Sequence, residues 1–155
     1  MEDPSHFLTG MLIAKLTNLI LPSLHVAIQI IIIVIFSFLS HFIVDALADL
    51  TYHTSDPRPE DKFWLSRKIF YVVLTWAFVL VFFVNYWYIM AVSVLPDIID
   101  WFILRRFFKK EPIIHPYVNK FRKKFFSWLP YLRETKWASI NEIIFMIILG
   151  IFVWI

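Results

Sequence analysis

Cysteine is absent from the 155 residues, and glycine occurs only twice. The first absence excludes disulfides, thiolate metal ligands and a cysteine nucleophile. The second leaves no glycine-rich loop able to cradle a phosphate, and no internal repeat or low-complexity tract is present. Charge is also scarce: 17% of residues are Asp, Glu, Lys or Arg, against about a quarter in an ordinary soluble domain. The opening Met1-Glu2-Asp3-Pro4-Ser5-His6 lacks a basic n-region and a small-residue cleavage site, so the first apolar segment is expected to be retained.

What fills the space is apolar. Hydrophobic residues make up 60% of the chain and aromatics 19%, and the mean hydropathy is +0.71. This composition describes an integral membrane protein, and the length suits a single domain over residues 1–155.

The apolar segments predict an all-α, polytopic membrane helix bundle of about five spans, at residues 7–21, 24–50, 64–84, 88–108 and 140–155. Ser23 is the expected cap of the second helix. Pro57 and Pro59 mark a loop between the second and third spans. The run from Phe63 to Phe108 would be roughly twice as long as a bilayer core if helical throughout. A hairpin turning at Asn85-Tyr86-Trp87 is therefore expected, since Asn tolerates turn geometry and Tyr and Trp suit the interface. With that hairpin, every Lys and Arg except Lys15 falls on one side, 14 of the 15. Positive-inside bias makes that side, and the N-terminus, cytoplasmic, as in a plasma (inner) membrane protein.

Residues 111–136 form a basic, cytoplasmic, interfacial segment. Val118, Phe121, Phe125 and Trp128 recur at helical spacing, with Lys120, Arg122, Lys123 and Lys124 around the other face. Two readings stand side by side: an amphipathic helix whose partner is anionic lipid along residues 105–136, and an ordinary positive-inside loop. No nucleic-acid partner is expected.

Ionisable groups inside the apolar runs are the strongest functional signal, because charge at membrane depth is costly. His41, Asp45 and Asp49 follow one another at i, i+4, i+8 and so share a helix face. Asp97 and Asp100, at i, i+3, share another, just after Pro96. In the expected topology both groups lie near the cytoplasmic surface, with His6 and His115. Clustered carboxylates repel unless a cation lies between them. A divalent metal held by His41, Asp45, Asp97 and Asp100 satisfies that need, and mixed Asp/His ligation suits Zn, Mn or Fe better than Mg. Structural readings remain open. Asp45 and Asp49 as ion-pair partners of Arg67 or Lys68, Asp100 bridged to Arg105, Asp97 as a helix cap, His6 as an interfacial residue and His115 as a loop residue before Pro116 are all compatible with the sequence.

Three motifs, Ser5-His6-Phe7-Leu8-Thr9-Gly10, Ser40-His41-Phe42-Ile43-Val44-Asp45-Ala46-Leu47 and Leu95-Pro96-Asp97-Ile98-Ile99-Asp100, resemble those of the small prokaryotic inner-membrane proteins called membrane-bound metal-dependent hydrolases. Here the Leu-Pro-Asp motif follows the Ser-His motif instead of preceding it. The resemblance implies a helical fold and His6, His41, Asp45, Asp97 and Asp100 at or next to a metal. The resulting expectation is a metal-dependent hydrolase acting on a phosphoester or lipid-type substrate at the cytoplasmic leaflet, with His6 or Asp49 as base. Its rivals are a Mg-dependent intramembrane transferase and a non-enzymatic scaffold or ion-conducting protein.

Overall fold

The computed structural model describes residues 1–53 and 60–155, and among them every regular element is helical. The loop residues Pro57, Arg58 and Pro59 lie outside the described residues. The elements are α1 (Asp3–Ile20), α2 (Val26–Leu47), which tightens into a 3-10 turn at Ala48–Leu50, and α3 (Lys62–Ser93). A short α4 (Leu95–Asp97) runs into a π-helix (Ile98–Phe107). They are followed by α5 (His115–Phe125) and by α6 (Ser139–Trp154), entered through a 3-10 turn at Lys136–Ala138.

Local chemistry accounts for the helix starts. Pro4 lies in the first turn of α1, where its missing N–H costs nothing. α2 begins two residues later than expected, and its cap is His25 rather than Ser23, with Nδ1 accepting from the Ala27 N–H at 3.2 Å. Asp61 caps α3 by accepting from Phe63 and Trp64 at 3.0 and 3.3 Å.

The polarity of the molecule is inverted relative to a soluble protein. Ser5, His6, Ser37, His41, Ser93, Asp100 and Glu142 are wholly buried, while Leu80 is 79% and Val84 84% exposed. Polar groups inside and large apolar side chains outside form the pattern that a hydrocarbon solvent selects. Among the described residues, three helical stretches are long and apolar enough to cross a membrane: Val26–Leu50, Lys62–Ser93 and Lys136–Trp154.

The expected turn at Asn85-Tyr86-Trp87 does not form. Those residues are helical within α3, which contains neither proline nor glycine, and Tyr86 packs toward Met11 and Met90. The expected helices at 64–84 and 88–108 are instead α3 and, after a break at Val94, α4 with the π-helix. Yet α3 is not straight. Arg67 and Lys68 bind Glu2, whereas Ile89 and Ser93 lie against Gly10. Along α1, Glu2 and Gly10 are about 12 Å apart, while a straight helix would separate Arg67 from Ser93 by about 39 Å. Side chains cannot span that difference. α3 therefore bends strongly, and both its ends return to the N-terminal end of α1. With no helix breaker in its sequence, contacts at its two ends impose the bend.

Two features hold the helices in register. At Gly10 a Cβ would fall 2.9 Å from a methyl of buried Ile89 and 3.3 Å from Ser93, so α1 and α3 meet through a gap that only glycine leaves. About two turns away along α1, Arg67 binds Glu142 at 2.7 Å and Glu2 at 2.8 Å. Glu142 also accepts from the Glu2 N–H and the Ser5 hydroxyl, and the guanidinium lies 4.6 Å from the Tyr71 ring centre. This network ties the starts of α1, α3 and α6 together. At the far end Lys15 donates to the Phe152 and Val153 carbonyls at 3.0 and 3.2 Å, satisfying the C-terminus of α6.

Removing one partner of a buried pair leaves the other charge uncompensated. Glu142→Ala is expected to cost about 3–5 kcal/mol, read as a large fall in the thermal midpoint in detergent. The same substitution at exposed Glu111 is expected to leave the midpoint within experimental error.

Candidate metal centre

The end of the bundle where α1 begins and α2 ends collects the ionisable residues. His41 and Asp45 face one way from the last two turns of α2, with His41 Nε2 3.2 Å from Asp45 Oδ2. Asp97 arrives from α4, with Oδ2 3.9 Å from His41 Nε2. His115 arrives from the start of α5, with Nε2 3.0 Å from Asp97 Oδ1 and 3.5 Å from Asp45 Oδ2. One ligand atom from each of these four residues lies within 4.8 Å of the others, so the cluster is able to hold a metal ion. Around a tetrahedral ion with bonds of about 2.0–2.1 Å, neighbouring ligand atoms are about 3.3–3.4 Å apart. The observed separations bracket that value.

Each imidazole is oriented from behind. His41 Nδ1 donates to the Ser93 carbonyl at 3.0 Å, which leaves the Nε2 lone pair for a ligand. That Nε2 is buried and has no hydrogen-bond partner among the described residues. Pro96 lies in the first turn of α4, where its missing N–H costs nothing. His115 Nδ1 meets Asp100 Oδ2 at 2.7 Å, the carboxylate–histidine arrangement that fixes metal-binding imidazoles. Asp100 also accepts from the backbone N–H groups of Ile113, Ile114 and His115, so it caps the approach to α5. Lys109, at φ 53°, turns the chain after the π-helix so that residues 111–115 run back over Asp100.

This geometry revises two expected roles. Asp100 is placed to orient His115, not to coordinate, because its oxygens already serve three N–H groups and an imidazole. His115, expected to be a loop residue, joins the cluster in its place. Its one sequence signal was the proline after it, which marks the first turn of a helix.

His6 is wholly buried, stacked on His41 with ring centres 4.3 Å apart, and its Nε2 is 3.3 Å from Asp45 Oδ1. Neither of its ring nitrogens has a hydrogen bond among the described residues, and the ring does not line the cavity described below. Asp49 lies outside the cluster, paired with Arg122 at 3.1 Å and Arg133 at 3.0 Å. The expected alternatives fare differently. Arg67 and Lys68 pair with Glu2 and Glu142 rather than with Asp45 or Asp49. Arg105 stacks on Trp101 at 5.3 Å rather than bridging to Asp100.

The cluster opens on one side. A cavity of about 480 Å³ is lined by Asp45, Asp97, Trp101, His115, Asn119 and Arg133. A metal held by the four residues would thus face open space to which Arg133 presents a guanidinium positioned by Asp49, and the Met1 ammonium, which also lines the cavity, binds Asp45 Oδ1 at 2.9 Å. No family model, no curated protein and no solved structure matches this chain.

Burial alone would lower His115, but hydrogen bonds to Asp45, Asp97 and Asp100 raise it to about 10. Without metal, the imidazolium and the Met1 ammonium, 2.9 Å from Asp45 Oδ1, are positive charges among the carboxylates. In chelator-treated protein its stabilisation is complete below about pH 6.5 and is lost as pH rises through about 10. A divalent ion must displace this proton, so its affinity is expected to increase with pH over that window, by up to about tenfold per unit for one released proton. Competition titrations against a fluorescent zinc chelator at several pH values check this. A flat profile contradicts it.

Proposed function

We propose that the protein is a membrane-embedded, metal-dependent hydrolase of the kind its three motifs resemble, acting on phosphoesters at the cytoplasmic leaflet of an inner membrane. The observation that carries the reading is the pair of imidazoles, buried His41 and half-buried His115, held from behind and aimed at Asp45 and Asp97 beside an open cavity. A purely structural metal site closes around its ion, whereas a catalytic one keeps a position for water or substrate. Two imidazoles with two carboxylates favour Zn, Mn or Fe and weigh against a Mg-dependent transferase. The bound ion would supply a water ionised near neutral pH and polarise a phosphoryl oxygen. Asp45 and Asp97 neutralise a divalent charge, so Arg133 leaves the loaded cavity attractive to an anion.

In this reading α1, α2 and α6 each cross once and the bent α3 crosses out and back, giving five crossings with the N-terminus at the metal end. The basic residues from Arg105 to Lys136 then lie at that same surface, where anionic lipid binds them. His6 and Asp49 support the site, His6 by packing against His41 and Asp45, and Asp49 by holding Arg133. A general base that touches substrate is instead to be sought among the cavity-lining carboxylates.

Purified protein is expected to retain one divalent ion per chain by elemental analysis. Asp45→Ala and Asp97→Ala are expected to lose it, and Asp100→Asn to weaken binding about 10- to 100-fold. Folded wild-type protein without stoichiometric metal, even after reconstitution with Zn or Mn, contradicts the proposal.

A further inference from the structure

Beside the polar cavity lies a second, apolar one. It has a volume of about 250 Å³ and is lined by Leu47, Leu50, Ile144, Phe145 and Ile148, with Met1 at one end. Met1 also lines the polar cavity, so the two spaces share a wall residue. Leu47 ends α2, and Ile144 and Ile148 face it from α6. Asn141 fixes this pairing of helices by donating to the Leu50 carbonyl at 2.7 Å. The groove thus runs along the apolar flank of the bundle and adjoins the polar cavity at Met1, whose ammonium binds Asp45 Oδ1 at 2.9 Å. Ile144 is 49% and Ile148 46% exposed, so the groove is open along its side to whatever surrounds α6.

Resting on the metal-centre reading above, we infer that the substrate is an amphiphile: a lipid phosphate whose headgroup occupies the Asp45/Asp97/Arg133 cavity while one hydrocarbon chain lies in the groove between the end of α2 and α6. The polar cavity offers charge complementarity to a phosphate, through the bound cation and Arg133. The groove offers carbon surface and almost no polar group. A water-soluble phosphoester would use the first space and leave the second empty. Each buried methylene contributes about 0.8 kcal/mol, roughly fourfold in affinity, so the groove separates chain-bearing from chainless phosphates.

The test uses the full chain, metal-loaded, in phosphatidylcholine nanodiscs containing a small fraction of phosphatidic acid with a diazirine on one acyl chain. After photolysis, label on phosphatidic acid is expected to concentrate in residues 47–51 and 141–148. The same diazirine on phosphatidylcholine is expected to spread over the exposed faces of α2, α3 and α6. Ile148→Trp fills the groove from an already exposed position, and excluding even two methylenes is expected to lower the specific label about tenfold. Ile147→Trp, on an exposed face outside the groove, is expected to leave it unchanged. Excess inorganic phosphate competes at the headgroup alone and is expected to displace the lipid far less effectively than an alkyl phosphate of matching chain length. Equal labelling by the two lipids, or no effect of Ile148→Trp, overturns the inference. Elemental analysis of the same samples separates the two proposals. Metal present with uniform labelling sinks the lipid seat alone, whereas localised labelling without metal sinks the hydrolase reading alone.

Discussion

Asp45 and Asp97 come within reach of the same two imidazoles at one end of an apolar bundle, and two carboxylates so placed require a positive charge between them. That requirement organises everything around it. In the chain as folded, a proton on His115 and the Met1 ammonium, 2.9 Å from Asp45, supply the charge; a bound metal would take the same nitrogens and oxygens as ligands and displace the His115 proton. Four separate stretches of sequence meet at this point: the start of α1, the end of α2, α4 and the start of α5. Compensation of the two carboxylates is thus also a tertiary clamp, acting beside the Asp49–Arg122 pair that joins the end of α2 to α5.

The supporting structure is built by small departures from regular helix. α3 ends at Ser93, whose carbonyl accepts from His41. The π-helix widens the chain after Asp97 and carries Asp100 inward, and the left-handed Lys109 sends the following residues back toward it. Asp100 then satisfies three backbone N–H groups and one imidazole at once. Such irregular backbone is tolerated in apolar surroundings where other protein groups satisfy it. At the same end of the bundle, the Arg67–Glu142–Glu2 network fixes the starts of α1, α3 and α6.

Periodicity made the α2 half of the site legible, since His41 and Asp45 at i, i+4 must share a face, and the cost of charge in apolar runs drew attention to Asp97 and Asp100. What the sequence could not convey was distance through space. His115 lies fifteen residues beyond Asp100 and reaches the cluster by a reversal at Lys109, a residue with no preference for that conformation. For the same reason Asp100 read as a ligand, although its partners are backbone groups that carry no side-chain signature. α3 was expected to turn at Asn85-Tyr86-Trp87 on composition, but nothing there breaks a helix. Its bend is set by contacts with Glu2 at one end and Gly10 at the other, which only the assembled bundle brings together.

The ligand set itself is the central claim, and X-ray absorption at the zinc edge reads it directly. The account predicts nitrogen and oxygen neighbours at about 2.0–2.1 Å, with the outer-shell scattering of two imidazoles. One imidazole should be lost in His115→Ala, while its first shell is retained in His6→Ala. A spectrum without imidazole scattering, or one unchanged by His115→Ala, would contradict the account.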